Sequence, residues 1–600
     1  MKLEFKKSNP KVDLQSKFDR CSIVIDSLNI YAFGLYKNIV NDFEEYFRNR
    51  ISSIQSFTPQ FVNQLFKDFP AHYYLLVNEG DKWTLISDPY ALLKLYILES
   101  TDTLVLSDDY LNLTEYNVKF TVNEQALKFQ FLNSYTPSRH TIINEISKVP
   151  PATIRTFSND SYEDQSYLLL NSKAQFEGEK MVEEFEKDMQ RCIDFFGKYY
   201  NKKSLFLSGG MDSSFLLNFL IKSGVPPDEL NSMTGKMSGL GQSELIDNDY
   251  DILFSEKLSK DQGVKHQILD YDYSSERVLD DFLLLRDNLH NDYAPGFGYV
   301  GFSEAIPDDG RIVINGQNAD SVLSFGGSGH PFFKGGKLHG LAGFFRRDFQ
   351  FFHGEKRGFF QKIVARFLMN LYYKKNYGLS ASDFSDKDYL LGIAMNPQNY
   401  PYWEKDECFD SIKDIGELAK WMNEEYINPI INANPELSYH GYFELIYHNT
   451  YMQGGANRGA LLSGQLKNKN VVLPYTDISL LEKMVMLKPN WNFVYYGKYP
   501  NYKVSVNKLK LPKYITERSD PVGSDSTTIL YNTLLENKRF LNFIKTSISN
   551  VDWDTYVNVL SPKVIGRIQL GMDELEEKDL PFLMKLVWND TILKKFRISL

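Results

Sequence analysis

The residues best suited to chemistry lie in one run, Ser204-Leu205-Phe206-Leu207-Ser208-Gly209-Gly210-Met211-Asp212-Ser213-Ser214. An apolar stretch stops at Ser-Gly-Gly, and a second one, residues 215–221, begins straight after Ser214. A strand that ends in small residues and feeds a helix makes an anion site. Gly209 and Gly210 let the backbone approach closely, and the helix N-terminus aims several N–H groups at one place. Ser208, Ser213 and Ser214 add hydroxyl donors suited to phosphate oxygens. Asp212 would repel a bare phosphate, so it calls for a divalent cation between carboxylate and phosphates. The expected chemistry is a Mg2+-dependent site for a nucleotide pyrophosphate. It is not the other common phosphate loop, because no Gly-Lys-Ser/Thr follows at the required spacing.

A second stretch repeats the pattern of a strand followed by small polar residues: Arg311-Ile312-Val313-Ile314-Asn315-Gly316-Gln317-Asn318-Ala319-Asp320. Asp320 at a neighbouring strand end would supply a second carboxylate for the same cation. Mg2+ is held through few carboxylates plus phosphate oxygens, so two acids suffice.

These residues need a sheet to hold them. Residues 175–199 carry Met181, Phe185, Met189, Ile193 and Phe196 at helical spacing and lead into the Ser204 strand. Beyond the loop we expect a helix over 215–221, a strand at 231–234, a helix over 251–263 ended by Gly263, and a strand at 266–269. This alternation predicts a parallel α/β sheet covered on both faces, with ligands at the C-terminal strand ends. Residues 20–120 instead show short runs rich in Val, Ile, Tyr and Phe (22–26, 73–77, 83–86, 96–98, 103–106), with helices expected at 39–47 and 61–66. That spacing predicts an α+β part built on an antiparallel sheet. Residues 359–466 and the last 75 or so read as mainly helical.

The chain has 600 residues, so two or more domains are expected. An apolar fraction of 43%, with 38 Tyr and 43 Phe, is ample for sizeable cores. A net charge of −10 argues against nucleic acid as the main partner. Cys21, Cys192 and Cys408 are too far apart in sequence to suggest a zinc site or a disulfide framework. Residues 1–11 are polar and unlike a signal peptide, and no run approaches the roughly 20 apolar residues needed to span a bilayer. The expectation is a cytoplasmic protein with no membrane partner.

Ser208-Gly209-Gly210-Met211-Asp212-Ser213-Ser214 resembles the pyrophosphate loop of the asparagine synthetase superfamily. Phe69-Pro70-Ala71-His72-Tyr73-Tyr74, Leu85-Ile86-Ser87-Asp88-Pro89-Tyr90, Lys94-Leu95-Tyr96-Ile97, Leu106-Ser107-Asp108 and Thr141-Ile142-Ile143-Asn144-Glu145-Ile146 follow in the order of that family's glutamine amidotransferase domain. Asn457-Arg458, Val472-Leu473-Pro474-Tyr475-Thr476-Asp477 and Leu511-Pro512…Arg518-Ser519-Asp520 resemble later family motifs. The resemblance implies a degenerate amidotransferase-like domain with an Ntn-like fold of sandwiched antiparallel sheets over residues 1–165. It implies a PP-loop ATP pyrophosphatase domain, helical towards its C-terminus, over 175–600. By the same resemblance, Ser208, Gly209, Gly210, Asp212, Ser213, Ser214 and Gly316 would bind ATP, and Asp212 and Asp320 would bind Mg2+. Lys503, where the family places a catalytic lysine, would offset charge in the transition state. Lys498 falls nearby.

Several departures bear on activity. The family's amidotransferase uses an N-terminal cysteine as its nucleophile, whereas this chain begins Met1-Lys2. Cys21 reads as a small buried apolar residue, and no glutaminase activity is expected. Gln317 replaces a glutamate, and an amide positions a group without acting as a general base. Ser321 and Asp520 also depart from the pattern. A basic, aromatic stretch over 326–358 reads either as a solvated face or as an acceptor-binding surface.

The resemblance implies a ligase that adenylates a small-molecule or peptide carboxylate and couples it to an amine or ammonia, as β-lactam synthetases and lasso-peptide cyclases do. An asparagine synthetase and a non-catalytic nucleotide-binding protein are the alternatives. A homodimer, or a partner peptide or protein of a biosynthetic pathway, is compatible with all three.

Overall fold

The computed structural model describes residues 2–6, 11–13, 20–25, 28–50, 57–80, 82–99, 103–158, 161–170, 176–238, 247–293, 296–323, 411–437, 439–488, 499–517, 525–570 and 579–596. The first part is built from β1 (Lys2–Lys6), β2 (Lys11–Asp13), β3 (Arg20–Ile25), β4 (Leu28–Phe33), β5 (Tyr74–Glu79), β6 (Lys82–Ile86), β7 (Tyr96–Glu99), β8 (Thr103–Ser107), β9 (Ile146–Lys148), β10 (Thr153–Ser158) and β11 (Ser161–Ser166). They form two antiparallel sheets, ordered β2-β1-β8-β7-β9 and β11-β10-β6-β5-β4-β3. Strict alternation in β3 buries Cys21, Ile23 and Ile25 and turns Arg20, Ser22 and Val24 outward, as a one-sided strand requires. The Tyr74 hydroxyl of β5 donates to Asp108, just beyond β8, at 3.0 Å and so links the two sheets. The polar first residues are themselves a strand: β1 lies against β8, with Lys2 opposite Ser107.

The second part begins with β12 (Phe176–Glu177) and the helix Gly178–Tyr199, whose inner face is Met181, Phe185, Met189, Ile193 and Phe196 as expected. Then come β13 (Lys203–Phe206), β14 (Leu230–Ser238), β15 (Lys265–Asp272), β16 (Ile312–Ile314), β17 (Asn470–Val472) and β18 (Leu487–Lys488). Five of these form a sheet ordered β15-β14-β13-β16-β17, parallel at every pairing. β12 and β18 make a separate parallel pair. The helices Met211–Lys222 and Asp247–Asp261 connect β13 to β14 and β14 to β15. After β15 the chain returns to the other side of β13, which places a topological switch between β13 and β16. Crevices form at the carboxyl ends of strands beside such a switch. Strand β17 was not anticipated, because three residues, Asn470-Val471-Val472, carry too short a pattern. Among the described residues no helix is long and apolar enough to cross a membrane.

The two parts share a buried ionic cluster. Lys94 and Lys148 belong to the antiparallel part, and Asp292 and Arg458 to the parallel part; all four are buried. Arg458 donates to Asp292 at 2.7 Å and to the carbonyl of Leu289 at 2.6 Å, at the C-terminal end of the helix Arg277–Leu289. Burial pushes the Lys94 ammonium well below the usual lysine range, against the pull of Asp292. Burial and the Arg458 charge push Lys148 down to about 8, with Asp292 opposing.

A lysine lowered from 10.5 binds fewer protons in the folded than in the unfolded chain between those two pH values. The cost of burying its charge is therefore full below pH ~8 and is relieved as the pH rises towards 10.5, by up to about 3 kcal/mol. Denaturant titrations at pH 8 and pH 10 are expected to show a larger gain in the wild type than in Lys148→Met, which keeps the gain due to Lys94. An equal gain in both proteins would remove Lys148 as its source.

Candidate functional site

Local geometry explains why the loop after β13 needs its sequence. The Leu207 amide extends the sheet by donating to the Met233 carbonyl at 2.8 Å, and the Thr234 hydroxyl donates to the Leu207 carbonyl. The chain then turns. Gly209 has φ +65°, and a Cβ there would lie 2.5 Å from the Cβ of Phe254. Gly210 follows as the N-cap of the helix Met211–Lys222 without a side-chain cap of its own. The loop braces itself: the Ser208 amide donates to Ser213 Oγ at 3.1 Å, and the Gly210 amide donates to Ser208 Oγ at 3.3 Å.

Above this loop lies a cavity of about 370 Å3 at the carboxyl ends of β13, β14 and β16. Ser208, Asp212 and Ser213 line one side, and Gly316, Gln317 and Asp320 come from the end of β16. Met233, Gly235 and Met237 of β14 also line it, with Tyr299 and Phe302 of the helix Phe297–Ala305. A Cβ on Gly235 would meet the Phe302 ring at 2.4 Å, so this helix sits as close to the strand as it does only because position 235 is glycine.

The structure thus brings together six of the positions expected from sequence: Ser208, Asp212, Ser213, Gly316, Gln317 and Asp320. Gly209 and Gly210 shape the loop without lining the cavity. Ser214 was expected to offer its hydroxyl to phosphate; it is instead fully buried, one residue round the helix, and does not line the cavity. Lys503 ends the helix Tyr499–Lys503 outside the cavity lining, with its ammonium 3.7 Å from the Glu179 carboxylate. Lys498, the 326–358 stretch, Arg518 and Asp520 lie outside the described residues.

Several pairings at the site were not anticipated, although Gln317, Asn457 and Tyr475 lie in stretches singled out from the sequence. Asn501, two residues before Lys503, donates from Nδ2 to Asp212 Oδ1 at 2.6 Å. The Tyr475 hydroxyl donates to the Asp212 carbonyl at 3.1 Å. Gln317 donates from Nε2 to the Tyr299 hydroxyl at 2.6 Å. Asn318, at φ +76°, donates to the Tyr475 carbonyl at 2.9 Å and accepts from Asn457 at 2.9 Å. Asn457 therefore braces the β16 turn that carries Gln317 and Asp320. No local sequence signal marks these pairings, because their members are far apart in the chain.

Electrostatics restrict what the cavity can hold. The charged residues among its described lining are Asp212, Asp251 and Asp320, all acidic. Burial raises the Tyr299 hydroxyl above the usual phenol range, and burial followed by the Asp320 charge pushes Tyr451 up to about 12. Both phenols are protonated at neutral pH and serve as hydrogen-bonding groups. No group of three His, Cys, Asp or Glu side chains that could cage a metal occurs among the described residues. A cation between Asp212 and Asp320 would have to complete its shell with water and ligand oxygens, which suits Mg2+ bound together with phosphates. No family model matches the chain, and no curated protein matches it.

Proposed function

We propose that this chain is an ATP-dependent carbon–nitrogen ligase of the asparagine synthetase type, with a PP-loop ATP pyrophosphatase domain and an amidotransferase-like first domain. The observation that carries the reading is the meeting of the Ser208–Ser213 loop, Asp212 and Asp320 in one cavity at the switch point of the parallel sheet. In this reading the loop N–H groups and the serines Ser208 and Ser213 hold the pyrophosphate, and Asp212 and Asp320 hold Mg2+, which neutralises phosphate charge. A carboxylate oxygen of the substrate attacks the α-phosphorus as the bond to pyrophosphate breaks. The nitrogen of an amine or ammonia then attacks the acyl carbon, AMP leaves with the carboxylate oxygen, and the proton shed by the nitrogen passes to the departing AMP phosphate or to water. Gln317 orients a reactant by hydrogen bonding, since its amide takes no proton at neutral pH. Lys503 has no role in this scheme, because it lies outside the cavity lining.

The buried Cys21 supports a first part without glutaminase activity. It sits within β3, and burial, followed by the charge of Glu44, raises its thiol pKa, which disfavours the thiolate. The nitrogen then comes from ammonia or from an amine on the substrate, so closure of an amide within one molecule is favoured over asparagine formation.

The test is exchange of labelled pyrophosphate into ATP against a panel of carboxylates, with glutamate release from glutamine measured alongside. Exchange driven by an amine-bearing carboxylate, with no glutamate released, is the expected result. Exchange driven by aspartate would select the asparagine synthetase reading. The placement of Lys503 and the amide at Gln317 favour a second reading, a non-catalytic nucleotide binder. Retained Mg-ATP binding without exchange for any carboxylate would establish it.

A further inference from the structure

We infer that Asn501 is a positioning residue that orients the Asp212 carboxylate for the cation, so that the helix Tyr499–Lys503 contributes an amide rather than an ammonium to the reaction centre. The inference rests on the proposed nucleotide–cation site. It adds a role that the phosphate-loop pattern does not contain.

Asn501 is fully buried and donates to Asp212 Oδ1 at 2.6 Å. The same asparagine accepts at its Oδ1 from Ser505 Oγ at 3.4 Å, a contact that supports this orientation of the amide, with the NH2 group towards Asp212. Ser505 lies in the π-helical turn Val504–Leu509, where the helix Tyr499–Lys503 changes its winding. Asn501 and Lys503 both precede that turn, and two positions apart on a helix they point about 200° from each other. Here Asn501 faces Asp212, and Lys503 faces Glu179 at 3.7 Å. Asp212 is also held through its backbone, where its carbonyl accepts from the buried Tyr475 hydroxyl at 3.1 Å.

The physical consequence concerns direction. A carboxylate on the first turn of a helix can rotate about its own bonds. A donor fixed on Oδ1 restricts that rotation and so sets the direction in which the carboxylate meets a cation in the cavity. Outer partners of this kind commonly change metal affinity by about 10- to 100-fold when removed.

The test uses the full chain and Mn2+ in place of Mg2+, with binding read by electron paramagnetic resonance at pH 7.5 in the presence of a non-hydrolysable ATP analogue. Asn501→Ala is expected to weaken Mn2+ binding at least tenfold. Asn501→Leu keeps the size without the donor and is expected to weaken it to the same extent. Lys503→Ala is expected to leave Mn2+ affinity within threefold of wild type. Weaker binding at an unchanged unfolding midpoint supports orientation, because damage to folding would lower the midpoint too. Should Asn501→Ala not fold, the near-isosteric Asn501→Leu decides alone. Wild-type affinity in a folded Asn501 variant overturns the proposal. Wild-type protein that binds no Mn2+ with the analogue would instead overturn the proposed function beneath it.

Discussion

Replacing Asp292 with alanine is expected to lower the free energy of unfolding by about 3–5 kcal/mol, the usual cost of removing one partner from a buried ion pair. Asp292 and Arg458 have side chains only 2% and 3% exposed, and the Arg458 guanidinium also ties down the carbonyls of Leu289 and Asn288. Lys94 and Lys148 draw on the same carboxylate. Its removal takes from the buried Arg458 guanidinium and from both lysines the carboxylate they share. Asp292→Leu combined with Arg458→Met is expected to recover only part of the loss, because Lys94 and Lys148 still lack the Asp292 carboxylate. Denaturant midpoints with an unchanged slope would measure both. A loss below about 1 kcal/mol for Asp292→Ala would show that the cluster is solvated and the two parts are not joined through it.

Gly209→Ala is expected to weaken Mg-ATP binding by about 30-fold or more. A Cβ at φ +65° costs about 1–2 kcal/mol in the left-handed region. It would also approach the Cβ of Phe254 to 2.5 Å and the amide nitrogen of Ser255 to 3.0 Å, overlap that costs about 1–3 kcal/mol more. Neither neighbour can move freely, since both sit in the helix Asp247–Asp261, and the Ser255 hydroxyl is held by Thr234 at 2.7 Å. The loop must shift instead, and its N–H groups shift with it. Gly210→Ala is the matched comparison. Gly210 has φ −75°, and its added Cβ would meet only Ser208 Oγ, at 3.2 Å, so an effect within about fivefold is expected. Calorimetric titration of Mg-ATP into each variant separates the two. Equal affinities for Gly209→Ala and wild type would show that the loop does not cradle the nucleotide.

The sequence by itself determined the parallel sheet except for β17, because its signals are local. Each strand and helix around Ser204 carries its own apolar period, and the glycines at 209 and 210 mark the turn between them. The structure lengthens these elements, as with β14 running Leu230–Ser238 where 231–234 was expected. The alternation Lys2-Leu3-Glu4-Phe5-Lys6 was also a strand signal, hidden by the polar character of the segment as a whole. Cys21 was legible too: a lone small residue in an alternating apolar run is most simply a buried one.

Only the tertiary structure decided which side chains meet. Ser213 and Ser214 are neighbours with the same chemistry, yet successive helical residues point about 100° apart, so one faces the cavity and the other the core. Lys503 and Asn501 lie on one short helix and point about 200° apart, and the packing of that helix decides which of them reaches Asp212. The buried cluster of Lys94, Lys148, Asp292 and Arg458 joins residues more than 300 positions apart, and no local period encodes such a pairing. Short-range pattern fixes an element and its buried face. Long-range packing fixes the direction of a polar side chain, and the proposed chemistry of this cavity rests on those directions.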